Sequence, residues 1–165
     1  MHRHSPWTSL TGAALALLLA AFAAAQSVVD PLSIKAIAEV ESKAAGGRQS
    51  VKLVSADRVV PGDRVIYTLE ARNTGVAVLE SPTIIHPIPE HMRYVADSAV
   101  GPGAEVSYSV DDGKSFDRAE NLLVKSADGQ SRPATAADYT HIRWHLKNNL
   151  KANSVAFVRF RALVK

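Results

Sequence analysis

The chain has 165 residues and carries 19 lysines and arginines against 16 aspartates and glutamates, a net charge of +3. A balance this close over the length of one domain excludes a dense basic face for nucleic acid. The absence of cysteine excludes a disulfide framework, a thiol nucleophile, Cys-ligated zinc and a lipid-anchored cysteine.

In chain order, the first element is an address. Arg3 gives a weakly positive start, an alanine- and leucine-rich apolar run follows over residues 12–25, and Ala23-Ala24-Ala25 supplies the small residues that a signal peptidase cuts after. A membrane span needs roughly 20 apolar residues, and this run is shorter. Residues 1–25 are therefore expected to be a cleaved secretory signal, bacterial in style, and no membrane span is expected in the mature chain. A cysteine-free exported chain suits a bacterial envelope, where folding need not depend on oxidation.

The rest reads mainly in twos, the period of a half-buried strand. Residues 26–50 form a lead-in with a possible first strand. Within it, residues 33–42 place Ile34, Ile37 and Ala38 on one helical face but fit an opening strand equally, and the strand is preferred. Residues 51–56 form a second strand, and Pro61-Gly62-Asp63 turns the chain. From Arg64 to Asn73, Val65, Tyr67, Leu69 and Ala71 alternate with polar neighbours, and Asn73-Thr74-Gly75 closes the run with turn chemistry. Residues 78–88 are interrupted by Pro82 and Pro87, with Pro89 just beyond, which places them at a sheet edge or a bend.

Residues 105–110 lead into Asp111-Asp112-Gly113-Lys114, a hairpin tip. Residues 117–138 are one long polar connection, and connections of that length are functional or loose. Ile142, Trp144 and Leu146 alternate with His141, Arg143 and His145. In the last strand Ala156, Val158, Phe160 and Ala162 oppose Phe157, Arg159 and Arg161. Short strands, prolines in the connections and no long helical pattern predict an all-β fold: a single immunoglobulin-like antiparallel β-sandwich over residues 51–165.

The run from Val60-Pro61-Gly62-Asp63 through Tyr67-Thr68 to Asn73-Thr74-Gly75 resembles the bacterial domain-of-unknown-function family numbered eleven, the conserved-repeat domain. So does the later order Ile88-Pro89, Met92-Arg93-Tyr94-Val95 and Asp97-Ser98-Ala99, and Ile142-Arg143-Trp144 with the final strand completes the pattern. The resemblance spans about residues 51–165. It implies an immunoglobulin-like module of a cell-envelope or secreted protein, with no catalytic residues assigned. Two departures stand out: the turn before the last strand is Lys151-Ala152-Asn153-Ser154, where Asn153 takes the place of glycine, and the domain stands alone where relatives often repeat it.

Candidate chemistry is sparse. His86, His91, His141 and His145, with Met92, are the possible ligands of a periplasmic copper or zinc ion. His141 and His145 share a strand face but stand ~13 Å apart at about 3.3 Å per residue, with Arg143 between them, so they cannot chelate one ion together. Asp111, Asp112 and Asp117 cluster around Gly113 without the spacing of a calcium loop. No Gly-x-Ser-x-Gly elbow and no His-Glu-x-x-His helix occurs. Trp144 and Tyr67 fall on inward faces, and Tyr139 is placed to tie down a loop through its hydroxyl, as corner tyrosines do.

The expected function is therefore a non-enzymatic, exported structural or protein-interaction module, with no catalytic or cofactor site and an unidentified envelope protein as partner. Its contact surfaces would be exposed edge strands and the 117–138 connection, with Arg159 and Arg161 guarding the last strand's edge by charge. The alternative is a periplasmic metal or small-ligand carrier using His86, His91 and Met92.

Overall fold

The computed structural model describes residues 30–43 and 51–165; the expected signal over residues 1–25 lies outside them. The described chain is all-β and antiparallel. The strands are β1 (Leu32–Lys43), β2 (Val51–Ser55), β3 (Arg64–Asn73), β4 (Thr83–Pro87), β5 (Met92–Tyr94), β6 (Ala104–Ser109), β7 (Leu123–Lys125), β8 (Ser131–Pro133), β9 (His141–Leu146) and β10 (Val155–Val164). The larger sheet has the order β2-β1-β3-β10-β5, the smaller the order β4-β9-β6, and β7 and β8 form a separate ribbon. β1 pairs with β3 from Leu32–Asn73 to Val40–Val65. The lead-in ahead of residue 51 thus contributes a strand to the larger sheet.

The expected sandwich is present, with its own threading. The chain changes sheets after β3, after β4 and after β5, and again between β9 and β10. In constant-type immunoglobulin domains the last strand lies in the smaller sheet; here β10 lies inside the larger one, between β3 and β5.

Alternation fixes the core. Val65, Leu69 and Ala71 of β3, Val158, Phe160 and Ala162 of β10, and Ile142 and Trp144 of β9 are buried between the sheets. The Tyr67 and Phe160 rings stack at 4.8 Å, and Trp144 meets Phe160 at 6.1 Å. The Trp144 indole N–H has no hydrogen-bond partner. An orphaned buried donor costs about 1–3 kcal/mol, which the buried ring offsets by apolar contact. The opposite face of β3 is less regular than a wet face should be, because Ile66 and Thr68 are also buried.

The turn that closes β3 is built around Asn73. This residue is fully buried. Its Nδ2 donates to the carbonyls of Ala77 (2.7 Å) and Leu150 (2.9 Å), and its Oδ1 accepts from the Gly75 N–H (2.9 Å). Its main chain donates to Ser154 O at 3.1 Å and accepts from Asn153 N–H at 2.9 Å. Two residues of the other strand thus face one on β3, a bulge, and Asn153 takes the left-handed conformation it needs, φ 61°.

Asn73→Ala removes all three side-chain bonds: the Ala77 carbonyl and the Gly75 N–H lose their partner and the Leu150 carbonyl keeps only the Leu79 N–H, at about 1–3 kcal/mol for each buried group left unsatisfied. The variant should lose at least about 2 kcal/mol in urea unfolding, whereas Asn148→Ala, at an exposed loop position, should stay within about 0.5 kcal/mol of the parent.

Candidate functional site

The two sheets differ in width, and the difference exposes a surface. Residues opposed across an antiparallel pair share a face. Ile34 and Ala36 of β1 oppose Ala71 and Leu69 of β3. Ala71 and Leu69 are fully buried, while Ile34 is 41% exposed and Ala36 is exposed as well. The three-stranded sheet covers the middle of the larger sheet and stops short of β1. On the other face of the same hairpin Ile37 is exposed, and both Leu53 and Val54 of β2 are exposed too. The β1–β2 hairpin therefore presents apolar side chains on both faces.

The histidines do not converge. His86 points inward from β4 and packs against Tyr67 (6.1 Å) and Phe160 (5.7 Å), and its Nδ1–H donates to Pro87 O at 2.6 Å. His91 is exposed in the turn before β5, and Met92 packs against the core. His141 and His145 lie on the outer face of β9, where His145 Nδ1 is 3.2 Å from Thr83 Oγ1. Among the described residues no three His, Cys, Asp or Glu side chains are grouped to hold a metal ion.

The aspartates serve the hairpin tip. Asp111 Oδ1 accepts from Ser109 Oγ (2.7 Å) and Ser115 N–H (2.9 Å), and Oδ2 accepts from Ser115 Oγ (2.6 Å). The Ser115 and Ser109 hydroxyls hold its carboxyl well below the usual carboxylate range. Asp117 bonds Asn121 Nδ2 and its own neighbour's N–H, and its main chain pairs with Tyr108.

The tyrosine assignment changes. Tyr139 stacks on Tyr108 with ring centres 4.4 Å apart, and its hydroxyl makes no hydrogen bond among the described residues. The hydroxyl that ties down a loop belongs to Tyr94, which accepts from Ala99 N–H at 3.0 Å and shares a hydrogen bond with the Tyr108 hydroxyl, also at 3.0 Å. Burial, with the Tyr94 contact second, pushes the Tyr108 hydroxyl far above its ordinary range. Position before a strand suggested Tyr139; burial, which is not written locally in the sequence, selects Tyr94.

The 117–138 connection is ordered. It holds a short 3₁₀ turn (Ala119–Asn121) and the β7–β8 ribbon, and Leu122 is buried in the core. Arg132 donates both Nη groups to Asp138 (2.8 and 2.7 Å), and Asp138 also accepts from the Thr135 N–H and hydroxyl. On the outer face of the smaller sheet a cleft of about 340 Å³ lies between this connection and β9. There the Arg143 guanidinium stacks over Phe116 at 4.8 Å, and its Nε donates to Ser107 Oγ at 2.9 Å.

Burial lowers the His86 pKa below its ordinary value, opposed by the hydrogen bond to Pro87. The folded chain takes up a proton on this ring less readily than the unfolded chain, which does so near the ordinary 6.5. The unfolded state then binds more protons, so stability is full above about pH 6.5 and falls as pH drops through the window below it. His86→Gln should remove that component, read as a flatter dependence of the urea midpoint on pH below about 6.5.

No protein-family model, curated protein or solved structure matches the chain.

Proposed function

We propose that this chain is an exported, non-enzymatic module of the bacterial cell envelope that works through protein contacts, as its resemblance to domain-of-unknown-function family eleven implies. One observation carries the reading. The β1–β2 hairpin, at the margin of an otherwise well-filled sandwich, exposes Ile34 and Val54 on one face and Ile37 and Leu53 on the other. Scattered exposed apolar residues are ordinary, whereas several on one two-stranded element mark a surface that another protein covers. The rest of the molecule supplies rigidity, since the hairpin is continuous with β3 through a long ladder. The signal-like residues 1–25 would deliver it to the envelope.

Cells making the full chain provide the test. A photo-crosslinking residue at position 34 or 37 should give protein adducts in the envelope fraction, one at exposed Glu90 should give none, and mass spectrometry should find the mature chain starting at Gln26. A chain that stays uncut in the cytoplasm, or adducts equally abundant from Glu90, overturns the proposal.

A further inference from the structure

The chain leaves the larger sheet at a defined point. Val100 exchanges two N–H···O bonds with Arg159 of β10, both 2.8 Å. At the next residue, Gly101, the backbone presses so close that a Cβ would lie 2.7 Å from Val158 Cγ1, and from there it crosses to β6. Residues 155–157 of β10 consequently have β3 on one side and no strand on the other among the described residues.

The hydrogen-bond parity of this edge follows from its neighbours. Ser154 O accepts from Asn73 N–H, so even-numbered residues of β10 face β3. Arg159 bonds Val100, so odd-numbered residues face away. The N–H and C=O groups of Val155 and Phe157 thus point outward without a main-chain partner.

The edges of the smaller sheet are each interrupted at one point. On β4, Pro87 has no N–H and its carbonyl is taken by the His86 ring; beside β6, the Tyr108–Asp117 bridge occupies the lane. Val155 and Phe157 of β10 have neither a proline nor a bridge, and the arginines expected to guard this edge by charge, Arg159 and Arg161, follow them on the same strand.

Side chains beside this edge suit a particular visitor. Phe157 is 53% and Val100 54% exposed. They line, with Pro102 and Arg159, a concavity of about 400 Å³, and a second one of about 340 Å³ continues past Pro102 and Phe157 to Leu146 and Leu150. Arg159 donates its Nε to Thr68 Oγ1 at 3.1 Å. Among the described residues neither Arg159 nor its same-face neighbour Arg161 forms an ion pair with a carboxylate.

We propose that the open edge of β10 at Val155 and Phe157 is a docking lane for an extended acidic segment of a partner protein. The segment joins the larger sheet as an added strand. Its apolar side chains fill the concavity beside Leu146 and Leu150, and its alternate carboxylates face Arg159. This rests on the reading of the chain as a contact module and names one partner chemistry for it.

Two blocked pentapeptides serve as probes in an amide NMR titration of the purified protein, one alternating Glu and Val, the other Lys and Val. The acidic peptide should shift the amides of Val155, Phe157 and Arg159 and bind at least about tenfold more tightly than the basic one. Arg159→Glu, at an exposed position, should reverse that preference, and Arg159→Gln should abolish it, with spectral dispersion reporting that both variants fold. Absence of binding, equal binding of both peptides, shifts confined to the β1–β2 hairpin, or self-association of the free protein through this edge each overturns the lane. If the lane fails while crosslinks from positions 34 and 37 persist, the contact-module reading stands without it.

Discussion

Asn73 is the joint on which the sandwich turns. Its side chain and main chain together engage five partners drawn from the turn after β3 and from the β9–β10 connection. These contacts satisfy the polar groups of a fully buried residue, so it is costly to place and more costly to alter. The geometry sets the register between β3 and β10, the pair that forms the floor of the core. It does so through a bulge that only a residue tolerant of positive φ can complete, and Asn153 fills that role.

From that register the unequal width of the sheets follows. β3 and β10 are central in a sheet of five, and a sheet of three cannot cover all of it. What remains uncovered is the β1–β2 hairpin on one side and the early part of β10 on the other. The first exposes side chains and the second exposes main chain. The second arises because Gly101 carries the chain across β10 before a neighbouring strand could lengthen, and the first because the strands that cross over build only a narrow second layer.

Much of this was legible in the sequence, for identifiable reasons. The alternation in β3, β9 and β10 named the buried faces correctly, because strand burial has period two and these strands lie centrally. Pro82, Pro87 and Pro89 placed β4 at an edge, because proline cannot donate to a second neighbour. The paired apolar character of Ile66 and Thr68, buried on the nominally wet face, was not legible, since it depends on long side chains from adjacent strands. Residue type alone makes His86 a possible ligand. Its position two residues after Ile84, on the same face of the same strand, was the signal that it points inward.

The motif residues that suggest the family turn out to do structural work. Asn73 closes β3. Tyr94 holds Ala99 through its hydroxyl, and Ser98 Oγ accepts from Arg161 N–H at 3.0 Å while donating to Val95 O at 2.6 Å. Ser98 thus supplies, with a side chain, a strand partner that the bend of the main chain at Asp97, φ 57°, removes. Such residues mark a way of making sheets meet and carry no chemistry of their own. In a chain without cysteine, the four surface ion pairs among the described residues, two of them sharing Glu105, add little. The apolar core and these few buried hydrogen bonds must then hold the fold. A scaffold fixed by interior contacts leaves its outer faces and edges free to vary.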